Sequence, residues 1–302
     1  ILVEYLYYFL FSSKQLLNEL GTGTTFKEIS SKTLSNVSFS YPPLAEQQRI
    51  VAKLDAAFAE IDRAIEVTEE CIRQQRLLLQ KVIDEKTNYQ GDDAAQWDIG
   101  SLCSIKHGFA FKSADFSKSD DEELPIVLTP GNFQEDGTLC FSQKNTKRCT
   151  SKYDDSLEFP LDSLVVVMTD LSSQMKLLGK PAFITQPKVL HNQRIGLVKN
   201  DEQTVSNRYL YYFFKSTAYL NEIRRTATGT MVRHTAPKRI LATKLCAPSS
   251  LSKQQKLCKE IEQVEELVSE NVRARAKQLE QLTALISAIL AQELQPPQSE
   301  AA

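Results

Sequence analysis

The residues best suited to bind an anion or a base edge lie close together in the last third of the sequence. Thr228, Gly229 and Thr230 are followed at short distance by Arg233 and His234. Glycine lets a backbone approach a ligand closely, threonine hydroxyls can bind phosphate, and arginine can bind guanine through two parallel hydrogen bonds. The spacing therefore predicts a loop that contacts nucleic acid, although an ordinary turn would use the same residues.

Other candidate donors are more scattered. Gln193 and Arg194 offer an amide and a guanidinium, but they fit a buried pair at a strand edge equally well. Phe109 and Phe111 are predicted to be core residues rather than platforms for base stacking. The remaining candidates are basic residues for phosphate contact, against the common alternative that surface cations are merely solvated: Lys106, Lys112, Lys176, Lys238 and Arg239.

No catalytic motif accompanies these residues. The sequence lacks a GxxxxGK(S/T) phosphate loop, a GxGxxG turn and a GxSxG nucleophile elbow. It also lacks the Asn/Asp-Pro-Pro-aromatic signature of adenine methyltransferases, since YPPL at 41–44 has the wrong flanks. Asp84, Glu85 and Lys86 superficially resemble part of a nuclease metal site, but we expect a solvated charge cluster on a helix. The sequence thus favours binding over catalysis and predicts no metal or cofactor on this chain.

The charge of the chain is unevenly distributed. The net charge of −2 does not favour a wholly basic surface, yet residues 188–245 carry eleven Lys and Arg against three Asp and Glu. Such a local excess is a candidate patch for phosphate. The alternative is a solvated basic helix.

An internal repeat organises the chain. The sequence YLYYF at 5–9 recurs at 209–213, GT at 23–24 recurs at 229–230, and LAEQQRI at 44–50 recurs as LSKQQKL at 251–257. The offsets of 204, 206 and 207 keep order and spacing together, which indicates a duplication. By this register we expect one full copy and the tail of a preceding copy, with roughly 110 residues of that copy before Ile1.

A long amphipathic helix is predicted after each Leu-x-x-Gln-Gln landmark. Neither Gly nor Pro occurs between Leu44 and Asn88, and apolar residues alternate by three and four in both stretches. Helices of about 40 residues are roughly 60 Å long. We predict that helices at 44–90 and 251–295 pack together antiparallel, with a frayed tail at 296–302; the alternative is two amphipathic helices lying separately on globular domains. The predicted packing residues are Leu54, Phe58, Ile61, Ile65, Ile72, Leu79, Ile261, Val268, Val272, Leu279 and Ile286.

Residues 91–250 are predicted to form a globular domain. Strands are indicated by β-branched residues, and one helix by an aromatic face: strands at 124–129, 163–169 and 195–198, and the helix at 208–225. Strands and helices do not alternate regularly. The predicted fold class is therefore α+β, with globular domains joined by two long, antiparallel coiled-coil helices.

The six cysteines show no CxxC spacing, and no apolar run is long enough to span a bilayer. Scattered thiols are typical of a reducing compartment, so we expect a cytoplasmic protein.

Taken in order, these motifs resemble the specificity (S) subunits of type I restriction–modification systems. The most specific match is PPLAEQQRI at 42–50. Residues 97–102 resemble the opening strand of the family's target recognition domains, 108–113 the loop that follows, and 191–194 the Asn-Gln-Arg stretch. The second copy departs from the pattern, since PSSLSKQ replaces Pro-Pro-Leu-x-Glu-Gln, and contacts made by Glu46 are expected to be lost there.

The resemblance implies a DNA-reading subunit without chemistry of its own. Residues 1–43 would be the remnant of a first target recognition domain, 91–250 a second one, and each such domain reads half of a bipartite target in double-stranded DNA. The long helices would dock two modification subunits, which bind S-adenosylmethionine and methylate adenine, and restriction subunits with motor and nuclease activity would join them. Half-sites one turn apart are separated by roughly 34–36 Å, which paired long helices can span.

A second class of function stays open at this point. A coiled-coil scaffold whose globular domain binds another protein would have the same helices. It would show no salt-sensitive affinity for DNA and no dependence on a methyltransferase.

Overall fold

The computed structural model describes residues 1–23, 26–117 and 121–294. Thr24 of the second repeat landmark and the predicted tail at 296–302 lie outside these residues. The chain divides into two compact units: the first comprises Ile1–Arg76 and Val268–Ala302, and the second comprises Leu77–Leu267. Within the described residues, no helix is both long and apolar enough to cross a membrane.

Helices dominate the first unit. They are α1 (Val3–Ser12), α2 (Lys14–Leu20), α3 (Ser31–Ser35), the first part of α4 (Leu44–Thr87) and the last part of α9 (Leu251–Glu293). The aromatic residues of α1 supply much of its core, which comprises Tyr5, Tyr8, Ile50, Leu54 and Leu290. Lys53 Nζ lies 2.6 Å from Glu293 Oε1, so the beginning of α4 contacts the end of α9.

The second unit holds the remaining, shorter elements. Its helices are α5 (Ile99–Leu102), α6 (Asn207–Lys215), α7 (Thr217–Thr226) and α8 (Pro237–Leu241), with 3-10 turns at Pro130–Asn132 and Asp155–Leu157. Its strands are β1 (Ala94–Asp98), β2 (Cys103–His107), β3 (Phe116–Ser117), β4 (Ile126–Val127), β5 (Arg148–Cys149), β6 (Leu164–Val167), β7 (Thr169–Asp170), β8 (Pro181–Phe183), β9 (Val189–Leu190), β10 (Ile195–Asn200), β11 (Arg233–His234) and β12 (Lys244–Pro248). The predicted α+β class is confirmed.

Four small sheets organise these strands. One has the order β2-β10-β6-β8 and is antiparallel throughout. A second has the order β3-β5-β4-β9, in which β4 and β9 are parallel. The other two are antiparallel ribbons, β1 with β12 and β11 with β7. The strand β10 is central because it pairs with β2 on one side and β6 on the other.

The largest core of the second unit forms around α6. Tyr209, Tyr212 and Phe214 are fully buried there, together with Ile83 from α4 and Ile261 from α9. Lys86 Nζ lies 2.9 Å from Glu260 Oε2, so the end of α4 contacts the beginning of α9. Each unit thus pairs opposite ends of the two long helices, and their predicted antiparallel arrangement is confirmed.

Two local predictions were wrong. The helix expected at 208–225 is broken at Ser216, because its extended backbone ends α6 and its hydroxyl accepts a hydrogen bond from Tyr219 N to begin α7. The charges near the end of α4 are not simply solvated: Asp84 Oδ1 accepts a hydrogen bond from Thr217 N at 2.7 Å, and Lys86 pairs with Glu260.

Each residue predicted to pack between the long helices is buried or partly buried in the structure. Leu54, Ile61, Ile261 and Val268 are buried. The other predicted packing residues are partly buried, namely Phe58, Ile65, Ile72, Leu79, Val272, Leu279 and Ile286. In contrast, Val67 on α4 is exposed.

Replacing Ile61 by Asp should therefore destabilise the protein, because it places an unpaired charge in a buried site. We expect a loss of roughly 3 kcal/mol or more in the free energy of unfolding, measured by chemical denaturation. Val67→Asp is the matched control on the exposed face of the same helix and should change stability little. Equal denaturation midpoints for the two variants would contradict this packing.

The buried imidazole of His191 gives a second expectation. Burial lowers the pKa of His191 to about 4, although Nε2 donates a hydrogen bond to Ile195 O at 2.9 Å. Since the unfolded chain binds this proton near pH 6.5, stability should fall as pH decreases from about 6.5 towards 4. His191→Gln should flatten that slope in denaturation measurements across the range. An unchanged slope would mean that other groups cause the pH dependence.

Candidate nucleic-acid interface

The predicted loop at 228–234 is a tight hairpin. Thr228 and His234 exchange two backbone hydrogen bonds, of 3.0 and 2.9 Å. Gly229 has φ of +92°, and a Cβ at this position would lie 2.0 Å from Val232 O. No other residue fits there without moving the backbone, so glycine fixes the conformation of the hairpin.

Two arginines brace this hairpin. Arg233 Nη1 donates to Gly229 O at 2.7 Å, and Arg239 Nη1 donates to the hydroxyl of Thr228 at 3.3 Å. Arg233 is partly buried. The sequence indicated base contact for Arg233 but not this internal hydrogen bond, which depends on the fold of the hairpin.

The hairpin is anchored to the rest of the domain by β11. In the antiparallel register Arg233 lies opposite Asp170 and His234 opposite Thr169. His234 Nδ1 and the Thr169 hydroxyl share a hydrogen bond of 3.1 Å. The buried carboxylate of Asp170 accepts two bonds of 2.8 Å, from the backbone N–H groups of Ser172 and Leu177.

Asp170 therefore shapes the loop that follows β7, a role missed by the sequence analysis. The available signal was an acidic residue placed directly after a run of buried β-branched residues and before a polar loop.

A series of backbone hydrogen bonds connects the candidate segments. Gln193 N donates to Phe109 O at 2.9 Å, and Met168 N donates to Arg194 O at 2.9 Å. Thr235 N then donates to Met168 O, also at 2.9 Å. The loop at 108–112, the turn at 192–194 and the hairpin at 228–234 are thus tied together, although they are distant in sequence. We refer to these three segments as the reading surface.

The turn at 192–194 is not the buried strand-edge pair that was one alternative. Gln193 is exposed and Arg194 is partly buried. Asn192 holds the turn, because its side-chain oxygen accepts a hydrogen bond from Arg194 N at 3.1 Å.

Some of the predicted basic residues form ion pairs with carboxylates and others do not. Lys176 Nζ forms an ion pair of 3.3 Å with Glu135, both side chains being exposed. The ion pairs found among the described residues include none of Lys106, Lys112, Arg194, Arg233, Lys238 or Arg239. Four of the eleven basic residues at 188–245 are paired with carboxylates, namely Lys188, Arg208, Lys215 and Arg225. The positive charge left without a partner is therefore smaller than the sequence suggested, and part of it lies on the reading surface.

The prediction that Phe109 is a core residue was wrong. Its side chain is 51% exposed, and its ring meets that of Phe111 at 5.1 Å, edge to face. The reason lies in the backbone: a Cβ on Gly108 would stand 2.3 Å from His191 O, so the main chain itself packs against the turn. Phe111, in contrast, is partly buried against the cluster of Val127, Cys149 and Leu190.

The arrangement offers hydrogen-bond donors, hydroxyl groups and cations, but no cluster suited to a metal. Within the part of the chain that the structure describes, no group of three His, Cys, Asp or Glu could hold an ion. Such a surface suits a polyanion with polar base edges.

Known proteins share both the sequence pattern and the fold. Residues 1–69 and 92–281 match the family model of the type I restriction modification DNA specificity domain. A chain solved in work on complex assembly and conformational transition of the type I R-M system is similar with a TM-score of 0.75 and 18% identity, over 97% of this chain and 70% of that one. The HsdS subunit from Thermoanaerobacter tengcongensis is similar with a TM-score of 0.51 and 18% identity, over 96% and 69% of the two chains.

At such low identity these structures establish the similarity of fold, while the family is established by the sequence match over most of the chain. The chain therefore belongs to the family of type I restriction modification DNA specificity domains.

Proposed function

We propose that this DNA specificity protein reads one half of a bipartite target in double-stranded DNA through the reading surface of its second unit. The observation that carries the proposal is the hydrogen-bonded series from Phe109 through Met168 to Thr235, which brings three candidate segments together. Cations on these segments have no carboxylate partner among the described residues, and they are free to meet phosphate.

The candidate residues then divide by chemistry. Gln193, Arg194, Arg233 and His234 carry donors that can reach base edges. The hydroxyls of Thr228 and Thr230, beside the close backbone of Gly229, suit phosphate. The remaining cations position the duplex without reading it: Lys106, Lys112, Lys238 and Arg239, together with Lys176, which would exchange its exposed ion pair with Glu135 for phosphate. Arg233 Nη1 uses one N–H on Gly229 O and Nε is buried, which leaves the Nη2 donors and the second N–H of Nη1 for guanine.

We also propose that the long helices dock two modification subunits, with restriction subunits joining the assembly. Apolar side chains on the surfaces of these helices support a protein partner: Val67, Leu77, Leu78, Leu267 and Leu285 are exposed. S-adenosylmethionine would bind to the modification subunits. In this proposal 1–43 belong to a first recognition domain, 91–250 form the second, and the assembly works in the cytoplasm.

The scaffold alternative is not favoured, because the matched family is defined by DNA specificity. Methylome sequencing tests the choice directly: cells expressing this chain with its modification subunit should gain adenine methylation at one bipartite motif. Cells that lack only this chain are the control. An identical methylome in both would contradict the proposal.

The purified chain alone should transfer no methyl group to DNA. The sequence carries no adenine-methyltransferase signature, and the proposed cofactor site lies on another subunit. Incorporation of labelled methyl from S-adenosylmethionine into duplex DNA is the measurement. Methyl transfer by homogeneous chain, free of any partner, would overturn the assignment as a non-catalytic subunit.

Arg233→Ala and Lys238→Ala should have different effects on the assembled methyltransferase. Loss of Arg233 removes a base contact and should weaken cognate binding by about 1–3 kcal/mol relative to non-cognate DNA. Loss of Lys238 removes a phosphate contact, so both affinities should fall alike and the salt slope should drop by about one unit.

Titrations at several salt concentrations measure both effects, and thermal denaturation checks that the braced hairpin survives in each variant. If Arg233→Ala leaves cognate affinity, preference and salt slope unchanged, Gln193 and Arg194 become the leading candidates for base contact.

A further inference from the structure

The tip of the hairpin at 228–234 is apolar, although the segments around it are polar and basic. Met231 is 81% exposed, and Val232 beside it is also exposed. A third large apolar residue, Leu171, is 60% exposed and follows Asp170, the strand residue opposite Arg233. Large apolar side chains held together in water are typical of a contact surface.

The exposure of Met231 does not result from a loose loop. Two backbone bonds close the hairpin at Thr228 and His234, and Arg233 bonds to Gly229 O inside it. Below the tip, His234 is joined to Thr169 of β7. The backbone is therefore preorganised to project its tip, which lowers the entropic cost of binding.

The repeat provides an independent observation. In the first unit, Thr22 and Glu28 exchange the same two backbone bonds, both 2.9 Å, and a Cβ on Gly23 would lie 2.0 Å from Phe26 O. Phe26 in that hairpin is 81% exposed, and by the repeat register it corresponds to Val232, the neighbour of Met231, which is 38% exposed. The same pair of backbone bonds thus accompanies an exposed apolar side chain at this register position in both copies, phenylalanine in one and valine in the other. This pattern is expected of an element that contacts different bases in the two copies.

We propose that Met231 is a base-contacting residue whose side chain lies against the 5-methyl group of a thymine in the major groove, next to the base contacted by Arg233. The inference rests on the proposed function and deepens it by naming a specificity determinant. The thymine methyl is the apolar feature of the major groove, and side chains discriminate it by direct contact. Methionine suits this task because its flexible thioether adapts to a shallow apolar surface.

The charge around the tip favours DNA over a protein as the occupant. Arg233, Lys238 and Arg239 form no ion pair within the described ranges, and Arg239 contacts the hairpin itself. Cations that flank an apolar tip match a duplex, whose phosphates border the apolar and polar edges of the bases. An apolar protein surface would instead leave these charges without partners.

The test uses this chain assembled with its modification subunit and S-adenosylmethionine, on the cognate duplex identified by methylome sequencing. Each thymine in the half-site read by the second unit is replaced, one at a time, by deoxyuridine, which deletes only the methyl group. Every A·T pair supplies such a thymine, and a half-site containing a methylated adenine has at least one. At one position, deoxyuridine should weaken binding by the wild-type complex about fourfold, the loss expected for one buried methyl.

Substitutions of Met231 then test whether the tip of the hairpin causes that loss of affinity. Met231→Ala should weaken binding to thymine DNA by a similar factor and lose nothing more with deoxyuridine at that position, whereas Met231→Leu should retain the preference. Leu161→Ala is the matched control: Leu161 is exposed and precedes β6, at the opposite end of that strand from β7 and the hairpin. It should behave as wild type, and thermal denaturation should be unchanged in all three variants.

The possible outcomes distinguish a failure of this inference from a failure of the proposed DNA-reading function. Met231 is not the thymine contact if no deoxyuridine substitution affects the wild-type complex, or if the losses from Met231→Ala and deoxyuridine multiply. Loss of modification-subunit binding in Met231→Ala would make the tip a protein contact and would also overturn the inference. A wild-type complex without any preference for the cognate duplex would instead contradict the proposed function.

Discussion

A buried glutamine in the first turn of each long helix fixes the geometry on which the other elements depend. Gln254 accepts a hydrogen bond from Ser206 N and donates to Thr204 O and Pro248 O, at 2.9–3.1 Å. Gln47 is equally enclosed, accepting from Leu2 N at 2.9 Å and donating to Pro42 O at 2.7 Å. A buried amide that loses a partner is costly, so these bonds hold the start of an aromatic helix to the start of a long helix within narrow limits.

Features encoded by neighbouring residues could be predicted from the sequence, whereas features that depend on distant pairings could not. The glutamine landmark, the heptad spacing and the aromatic run are local, and they gave the long helices and the buried aromatic face of α6. The break between α6 and α7 at Ser216 was not predicted, because aromatic residues occur on both sides of it. The central position of β10 and the bond between Arg233 and Gly229 depend on pairings formed only in the folded chain. The candidate loop was therefore predictable as a segment, while the hydrogen bonds that join it to Gln193 and Phe109 were not.

A carboxylate on α9 joins this long helix to α6. Glu265 accepts hydrogen bonds from Lys215 at 2.6 Å and from the hydroxyl of Tyr212 at 2.9 Å, so it docks α6 onto the long helix. Burial opposes the charge of Lys215, but Tyr211 and Glu265 outweigh burial and raise its pKa. By the repeat register the equivalents of Lys215 and Glu265 are Phe11 and Phe58. The two copies thus share a landmark while docking their aromatic helices by different chemistry.

The ribbon of β1 and β12 has a consequence for how new specificities arise. It pairs Ala94 with Pro248 and Asp98 with Lys244, so the two ends of the proposed recognition domain lie side by side. Neighbouring termini make a domain exchangeable as a cassette, because a foreign insert need only match one short junction. Two genetic crossovers, one within 88–94 and one within 246–251, would therefore replace the reading surface in a single event. Both buried glutamines and the long helices would be inherited unchanged, and the protein would acquire a new target without altering the frame that carries it.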